Sequence, residues 1–303
     1  MLALLNDILD AHGGLAKWNA FSKVAATIVT GGELWGIKGL IQDQNPRQMT
    51  VWLHEQRASL LPFGAPDQRT AYSPSRIAIE KADGTLVAER QDPRASFAGH
   101  RKTTPWDGLH RAYFNGYALW TYLTTPFLLS LEGVSIAEMP AWHEGPERWH
   151  RLRARFPVGL ATHSMVQDFF FDSTFRLRRH DYDVDVAGSF PAAQLVYDYA
   201  EACGIHFPTK RRAYQRAPGR GRDPRSADGV DRPERVSVLV SWPRRASIEA
   251  SNHETDMRPN RCSAGRADEN GLPADAGRPS RKTYAAAADT GTLCVCGRRT
   301  LLC

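Results

Sequence analysis

The chain has 303 residues and a formal net charge of +6, a length that holds one large domain or two. The charge is uneven: residues 1–216 carry 24 basic and 22 acidic side chains, while residues 217–303 carry 15 and 11. The longer region is close to neutral, which argues against a nucleic-acid surface there.

In chain order, Leu2, Leu5, Ile8 and Leu9 share one face of a short amphipathic helix, and Gly13-Gly14 stops it. The N-terminus has no basic leader region, and Asp7 and Asp10 interrupt its apolar run, so it does not read as a secretory signal. Cys203 is the single cysteine before residue 216, which excludes a disulfide framework and fits a reducing compartment. Together these place the chain in the cytoplasm at this stage. Residues 15–21 read as a second short helical turn carrying Trp18.

From Lys23 the pattern changes to period two, with expected strands at 24–30, 33–38, 48–55, 58–61, 69–72, 76–81 and 86–91. Met49, Val51 and Leu53 alternate with Thr50, Trp52 and His54, the signature of a half-buried strand. Ala82-Asp83-Gly84 supplies a hairpin turn.

One long helix follows. Thr104 is a natural N-cap, Pro105 suits the first helical position, and Asp107 complements the helix dipole. Trp106, Leu109, Tyr113, Tyr117 and Trp120 recur at steps of three and four, so they lie on one face. Phe114, Leu119, Tyr122 and Leu123 widen the apolar surface beyond one stripe, and such a helix needs cover on more than one side. The helix ends before Pro126. His110, Arg111 and Asn115 interrupt it, and it is too short for a transmembrane segment.

Strand patterning resumes at 134–138, 148–156, 162–171, 175–186, 194–199 and 205–214. Short, regular spacing makes consecutive strands antiparallel neighbours. The expected fold is α+β: a strongly curved antiparallel sheet, an open half-barrel, wrapped around the central amphipathic helix, with the short N-terminal helix beside it. Arg151, Arg153 and Arg155 share one strand face and read as a solvated outer surface lacking the interleaved aromatics that single-stranded nucleic acid needs.

From residue 217 the composition changes. The tail holds 14 Arg against one Lys, and only Trp242 and Tyr284 of the chain's 29 aromatics. Residues 236–240 read as its one strand. Such a composition buries too little apolar surface to offset its ordering entropy. The expected division is therefore a domain at 1–216 and a disordered or aberrant tail at 217–303. Arginine without lysine and scattered cysteines also fit an out-of-frame reading of GC-rich DNA.

Four segments carry a resemblance: Ala11-His12-Gly13-Gly14-Leu15, Gly31 to Gly39, Asp92-Pro93-Arg94-Ala95-Ser96-Phe97, and Trp106 to Phe127. They are similar to a group of bacterial proteins that in turn resembles the LolA-like lipoprotein-carrier superfold, over roughly residues 5–215. The resemblance implies an open half-barrel closed by helices that holds something apolar. Its carriers are normally exported.

No dinucleotide or nucleotide phosphate loop, nucleophile elbow or zinc-protease motif occurs, so no cofactor or metal is expected. Cys294-Val295-Cys296 has the wrong spacing for a metal or redox pair. Asp92, Arg94, His100, Asp107 and His110 flank the entry to the central helix and form the best polar constellation. Asp107 and His110, one turn apart, are an acid–base dyad or a capping network. Arg94 offers a planar fork to a carboxylate or phosphate. The favoured reading is non-catalytic binding of a lipid-like or other apolar small molecule between helix and sheet. Trp35, Phe97, Trp106, Tyr113, Tyr117 and Trp120 form its walls, and Arg94 and His110 orient it. The alternatives are an enzyme acting through Asp107 and His110, or a structural module whose concavity is filled by its own side chains.

Overall fold

The computed structural model describes residues 2–41, 45–216, 238–241, 246–250, 293–296 and 299–302. Alternation of apolar and polar residues builds the first antiparallel meander: β1 (Phe21–Gly31), β2 (Arg47–Trp52), β3 (Ala58–Leu61), β4 (Gln68–Ser73), β5 (Arg76–Lys81) and β6 (Leu86–Gln91). Val24 pairs with Val51 and Ala26 with Met49, and all four are buried on one face. That register is held because a slip of one residue would turn the whole apolar set outward.

A second meander contains β7 (Ser135–Glu144), β8 (Glu147–Arg155), β9 (Val166–Phe171), β10 (Leu177–Val184) and β11 (Phe190–Val196). β12 (Tyr199–Ala202) and β13 (Ile205–Pro208) form a separate hairpin, and β14 (Lys210–Gln215) returns to pair with β11. The expected strand at 205–214 is thus two strands, divided at Pro208, which has no N–H to continue a ladder.

β15 (Val238–Ser241) pairs with β14 on one side and with Val29–Gly31 of β1 on the other. β16 (Ala246–Ala250) covers the remaining length of that β1 edge. Among the described residues, β15 joins the two meanders into one 14-stranded antiparallel sheet. The strand expected at 236–240 therefore belongs to the main sheet. A last hairpin pairs β17 (Leu293–Cys296) with β18 (Arg299–Leu302). The rest of the tail, and with it the expectation of disorder, lies outside the described residues.

The N-terminal α1 (Ala3–Ala11) buries Leu4, Leu5, Ile8 and Leu9, and α2 (Leu15–Asn19) stacks Trp18 on Phe127 with ring centroids 4.2 Å apart. The strand expected at 33–38 is instead a helical turn, α3 (Glu33–Ile37). Adjacent Leu34 and Trp35 are both buried, which a strand would prevent by sending them to opposite faces.

The central helix α4 spans Gly108–Thr124. Its N-cap is Asp107 rather than Thr104. The Asp107 carboxylate accepts from the His110 N–H at 2.8 Å, while His110 Nδ1 accepts from the Asp107 N–H at 3.2 Å. This reciprocal box satisfies two donors, where Thr104 would satisfy one. Thr104 instead closes the preceding turn by accepting from the Arg101 N–H. Pro105 therefore lies outside the helix. At the other end Thr125, before Pro126, is extended and stops it.

Every residue from Ala112 to Thr124 is buried, so α4 is covered all round beyond its first turn. It packs against β2 through β6 on one side. On the other, Tyr122 reaches Tyr182 of β10, and Arg211 of β14 donates to the Tyr122 carbonyl. The expected picture of a helix in the palm of a curved sheet holds.

The outer face of β8–β10 departs from expectation. Arg151 and Arg153 both grip Asp168, at 2.7 and 2.8 Å, and Arg179 forks onto Asp181 at 2.7 and 2.9 Å. Arg179 also lies over Trp142 and Phe170. Trp149 shares the parity of Arg151 and is buried, so aromatics do interleave on this face. Arg151 and Arg179 cover Phe170 and Trp142, and Arg151, Arg153 and Arg179 spend their charge on aspartates, while Arg155 is exposed as expected.

Gly116 sets the distance between α4 and the first meander. A Cβ there would sit 2.3 Å from the Tyr72 ring. Gly116→Ala is expected to destabilise the fold by about 1–3 kcal/mol through overpacking, despite alanine's better helix propensity. Urea unfolding of the variant against the parent checks this.

Candidate functional site

The interior between α4 and the sheet holds several buried polar groups, among them Asn115, His163, His180 and Arg211. The 3₁₀ turn Ala95–Phe97 packs Phe97 over the start of α4, with its ring 4.6 Å from His110 and 5.4 Å from Trp106. His100 closes the group, with its ring 5.0 Å from that of His110. Burial holds the His110 imidazole below its usual range against the attraction of Asp107. Arg90 donates to Asp107 at 2.6 Å, and burial of Asp107 is outweighed by that contact and by the cap, which keep it ionised. The dyad is thus committed to capping: Nδ1 holds the Asp107 N–H, and the carboxylate is shared by Arg90 and the His110 N–H.

Arg94 points elsewhere. Nη1 donates to the Thr162 carbonyl at 3.0 Å, and Nη2 reaches Asp185 at 3.4 Å. Its guanidinium lies 6.0 Å from the Tyr117 ring centre. The expected five-residue constellation is divided: His100, Asp107 and His110 meet at the mouth of α4, whereas Arg94 faces the Tyr113 and Tyr117 phenols deeper inside.

The other expected wall residues are all core residues. Trp35 meets Phe114 edge-on at 5.8 Å. Trp120 donates its indole N–H to the Trp52 and Glu55 carbonyls at 2.8 and 3.0 Å, anchoring α4 to the end of β2. Trp106 lies under Lys38, whose ammonium is 4.5 Å from the ring. Burial lowers the Lys38 pKa to about 8. Tyr113 and Tyr117 pack at 5.5 Å, and Tyr72 of β4 joins them at 5.6 Å from Tyr113.

On the opposite side of α4, Tyr122 Oη contacts His163 Nε2 at 2.8 Å and Tyr182 Oη at 3.1 Å. His163 stacks on Tyr182 at 3.9 Å. His180 Nε2 lies 2.6 Å from Gln167 Oε1, and fully buried Arg211 donates to Gln194 at 2.9 Å. Burial lowers the Arg211 pKa to about 10. The sequence pattern marks Tyr122 as apolar surface of the helix and gives no site role to Tyr72, Tyr122, His163, Tyr182 or Arg211. The even spacing of His180, Tyr182 and Val184 in one strand was the available signal that they share the inner face.

A cavity of about 20 Å³ lies between α3, α4 and the strands β10, β11 and β14. Leu34, Phe114, Tyr122, Val184, Phe190 and Ala192 line it. That volume admits about one water molecule. Among the described residues no cluster of three or more histidine, cysteine or acidic side chains is placed to hold a metal, and no helix is long and apolar enough to cross a membrane.

No protein-family profile matches the chain, and no curated protein is similar to it. Solved structures resemble it in fold. A LolA superfamily protein from Nitrosomonas europaea is 8% identical with a TM-score of 0.42, covering 79% of this chain and 90% of its own. A domain assigned to outer membrane lipoprotein sorting, from Vibrio parahaemolyticus, is 9% identical with a TM-score of 0.44, covering 82% and 94%. The lipoprotein LppX of Mycobacterium tuberculosis is 10% identical with a TM-score of 0.26, covering 80% and 93%. At these values the likeness is one of architecture alone.

The cytoplasmic placement is corrected. The similar structures include a lipoprotein and a domain described as sorting outer membrane lipoproteins, which is at odds with that placement. Of the residues that prompted the placement together with Cys203, Ala3 to Asp10 supply most of α1, whose apolar face belongs to the core. Their sequence reports packing rather than compartment.

Burial holds three histidines neutral: His12 at a pKa of about 4, His163 at about 3, and His180 well below its usual value. The unfolded chain takes up protons near pH 6.5 and the folded chain does not, so stability is full above pH 6.5 and falls as pH drops toward 4 and 3. The expected slope approaches about 1.4 kcal/mol per pH unit for each histidine. Urea unfolding at pH 7 and pH 5 checks this. Asp107→Ala is expected to cost about 0.5–2 kcal/mol through loss of the cap, read by the same method at pH 7.

Proposed function

We propose that the protein binds a lipid-like or other apolar small molecule, without catalysis, between α4 and the concave face of the sheet. Trp35, Phe97, Trp106, Tyr113, Tyr117 and Trp120 serve as the apolar walls, with Arg94 and His110 as orienting groups. The observation that supports this reading is the burial of these aromatic side chains around α4, with Trp35, Tyr113, Tyr117 and Trp120 at most 1% exposed; the small cavity under β10, β11 and β14 is lined by other residues, among them Phe114 and Tyr122. The cavity's volume of about 20 Å³ means that a ligand enters by displacing side chains such as Phe114 and Tyr122 rather than by filling a preformed chamber. The engagement of Asp107 and His110 in the helix cap favours binding over a reaction at that dyad. The division into a domain at 1–216 and a tail at 217–303 belongs to the same proposal. An alternating apolar strand in another reading frame beyond Arg216 would support the out-of-frame origin of the tail, and its absence from both frames would remove it.

Native mass spectrometry of the full chain, purified without detergent and then incubated with mixed fatty acids and phospholipids, is the test. Retained adducts of apolar mass are expected, with stoichiometry near one. Protein that carries no adduct before or after incubation identifies a self-filled structural module instead.

A further inference from the structure

Three phenols converge inside the half-barrel: Tyr72 from β4, and Tyr113 and Tyr117 from successive turns of α4. They are 3%, 0% and 0% exposed. Among the described residues none of their hydroxyl protons reaches an acceptor, and the Tyr113 oxygen faces the Arg94 guanidinium as an acceptor. A buried donor left in this state costs roughly 1–3 kcal/mol in an ordinary core, and three in contact point to a shared partner. His163 packs 5.2 Å from Tyr117, and its Nδ1 likewise has no partner among the described residues. The cation beside this group is Arg94, which interacts electrostatically with Tyr113, Tyr117 and His163.

Donors surrounding a guanidinium call for an acceptor that carries negative charge. We infer that Tyr72, Tyr113, Tyr117 and Arg94 form a seat for an oxyanion, the carboxylate or phosphate head of an amphiphilic ligand. This deepens the proposed apolar binding and rests on it for the position of the ligand's chain. The seat lies at the inner end of Arg94. The carboxylate of Asp185 stands on its outer side, 3.4 Å from Nη2, and also accepts from Ser189 Oγ at 3.3 Å. An oxyanion entering the seat competes with Asp185 for that nitrogen, and the Ser189 contact retains Asp185 at the rim. Arg94 Nη1 stays on the Thr162 carbonyl and keeps the fork aimed. Gly116 is part of the construction, since any larger residue would push Tyr72 out of the group.

The test titrates the full chain with decanoate, decanol and inorganic phosphate by calorimetry at pH 7.5, for the parent, Arg94→Gln and Tyr117→Phe. Decanoate is expected to bind at least tenfold more tightly than decanol. Each variant is expected to narrow that ratio at least threefold. Tyr117→Phe removes one oxygen atom from a core position, so it keeps the test valid if Arg94→Gln fails to fold. Equal affinity for decanoate and decanol, or a preference that survives in both variants, overturns the seat and leaves apolar binding standing. Phosphate binding that is lost in Arg94→Gln, with no binding of either ten-carbon compound, supports the seat for a free anion and overturns the apolar reading. No binding of any of the three overturns both.

Discussion

The enclosure of α4 is the constraint on which the rest depends. Two meanders, neither of which covers the helix alone, are held around it by packing at Gly116 and by polar contacts at Tyr122. Burying large apolar side chains such as Tyr113, Leu119, Trp120 and Leu123 contributes about 1.5–3 kcal/mol for each. That gain requires contact on both sides, so helix and sheet curvature specify one another.

Enclosure also explains the chemistry of the interior. A helix carrying tyrosines and an asparagine takes its polar atoms into a medium of low dielectric, where each needs a partner. On the side facing β10 and β14 the partners are present: Tyr122 has His163 and Tyr182, and Arg211 has Gln194 and the Tyr122 carbonyl. On the side facing β4 they are not, and Tyr72, Tyr113 and Tyr117 cluster with unused donors near Arg94. The two sides of one helix therefore differ at their phenols: Tyr122 and Tyr182 are partnered on one side, while Tyr72, Tyr113 and Tyr117 on the other hold donors without an acceptor. His163 and His180 are neutral because burial leaves them no room for charge.

The sheet's continuity has an unusual source. β15, from the Arg-rich tail, lies between β1 and β14 and is the strand that connects the halves among the described residues.

Much of the architecture was legible in the residues themselves. The strands 58–61, 76–81 and 86–91, the end of α4 at Pro126 and the burial of its apolar faces all follow from period, propensity and proline stereochemistry, which act over a few neighbouring residues. Other features depend on contacts between distant segments. Asp107 displaced Thr104 as the cap because His110 completes a reciprocal box and Arg90 of β6 grips the carboxylate. Residues 33–38 became a helical turn because Leu34 and Trp35 both had a core to enter. Arg151 and Arg153 of β8 are tied down because Asp168 lies across the ladder from them, and Arg179 of β10 because Asp181 lies beside it. Local pattern sets which face of an element is apolar. Only the folded chain decides which buried donor finds an acceptor, because that depends on atoms from strands and helices far apart in sequence meeting within 3 Å.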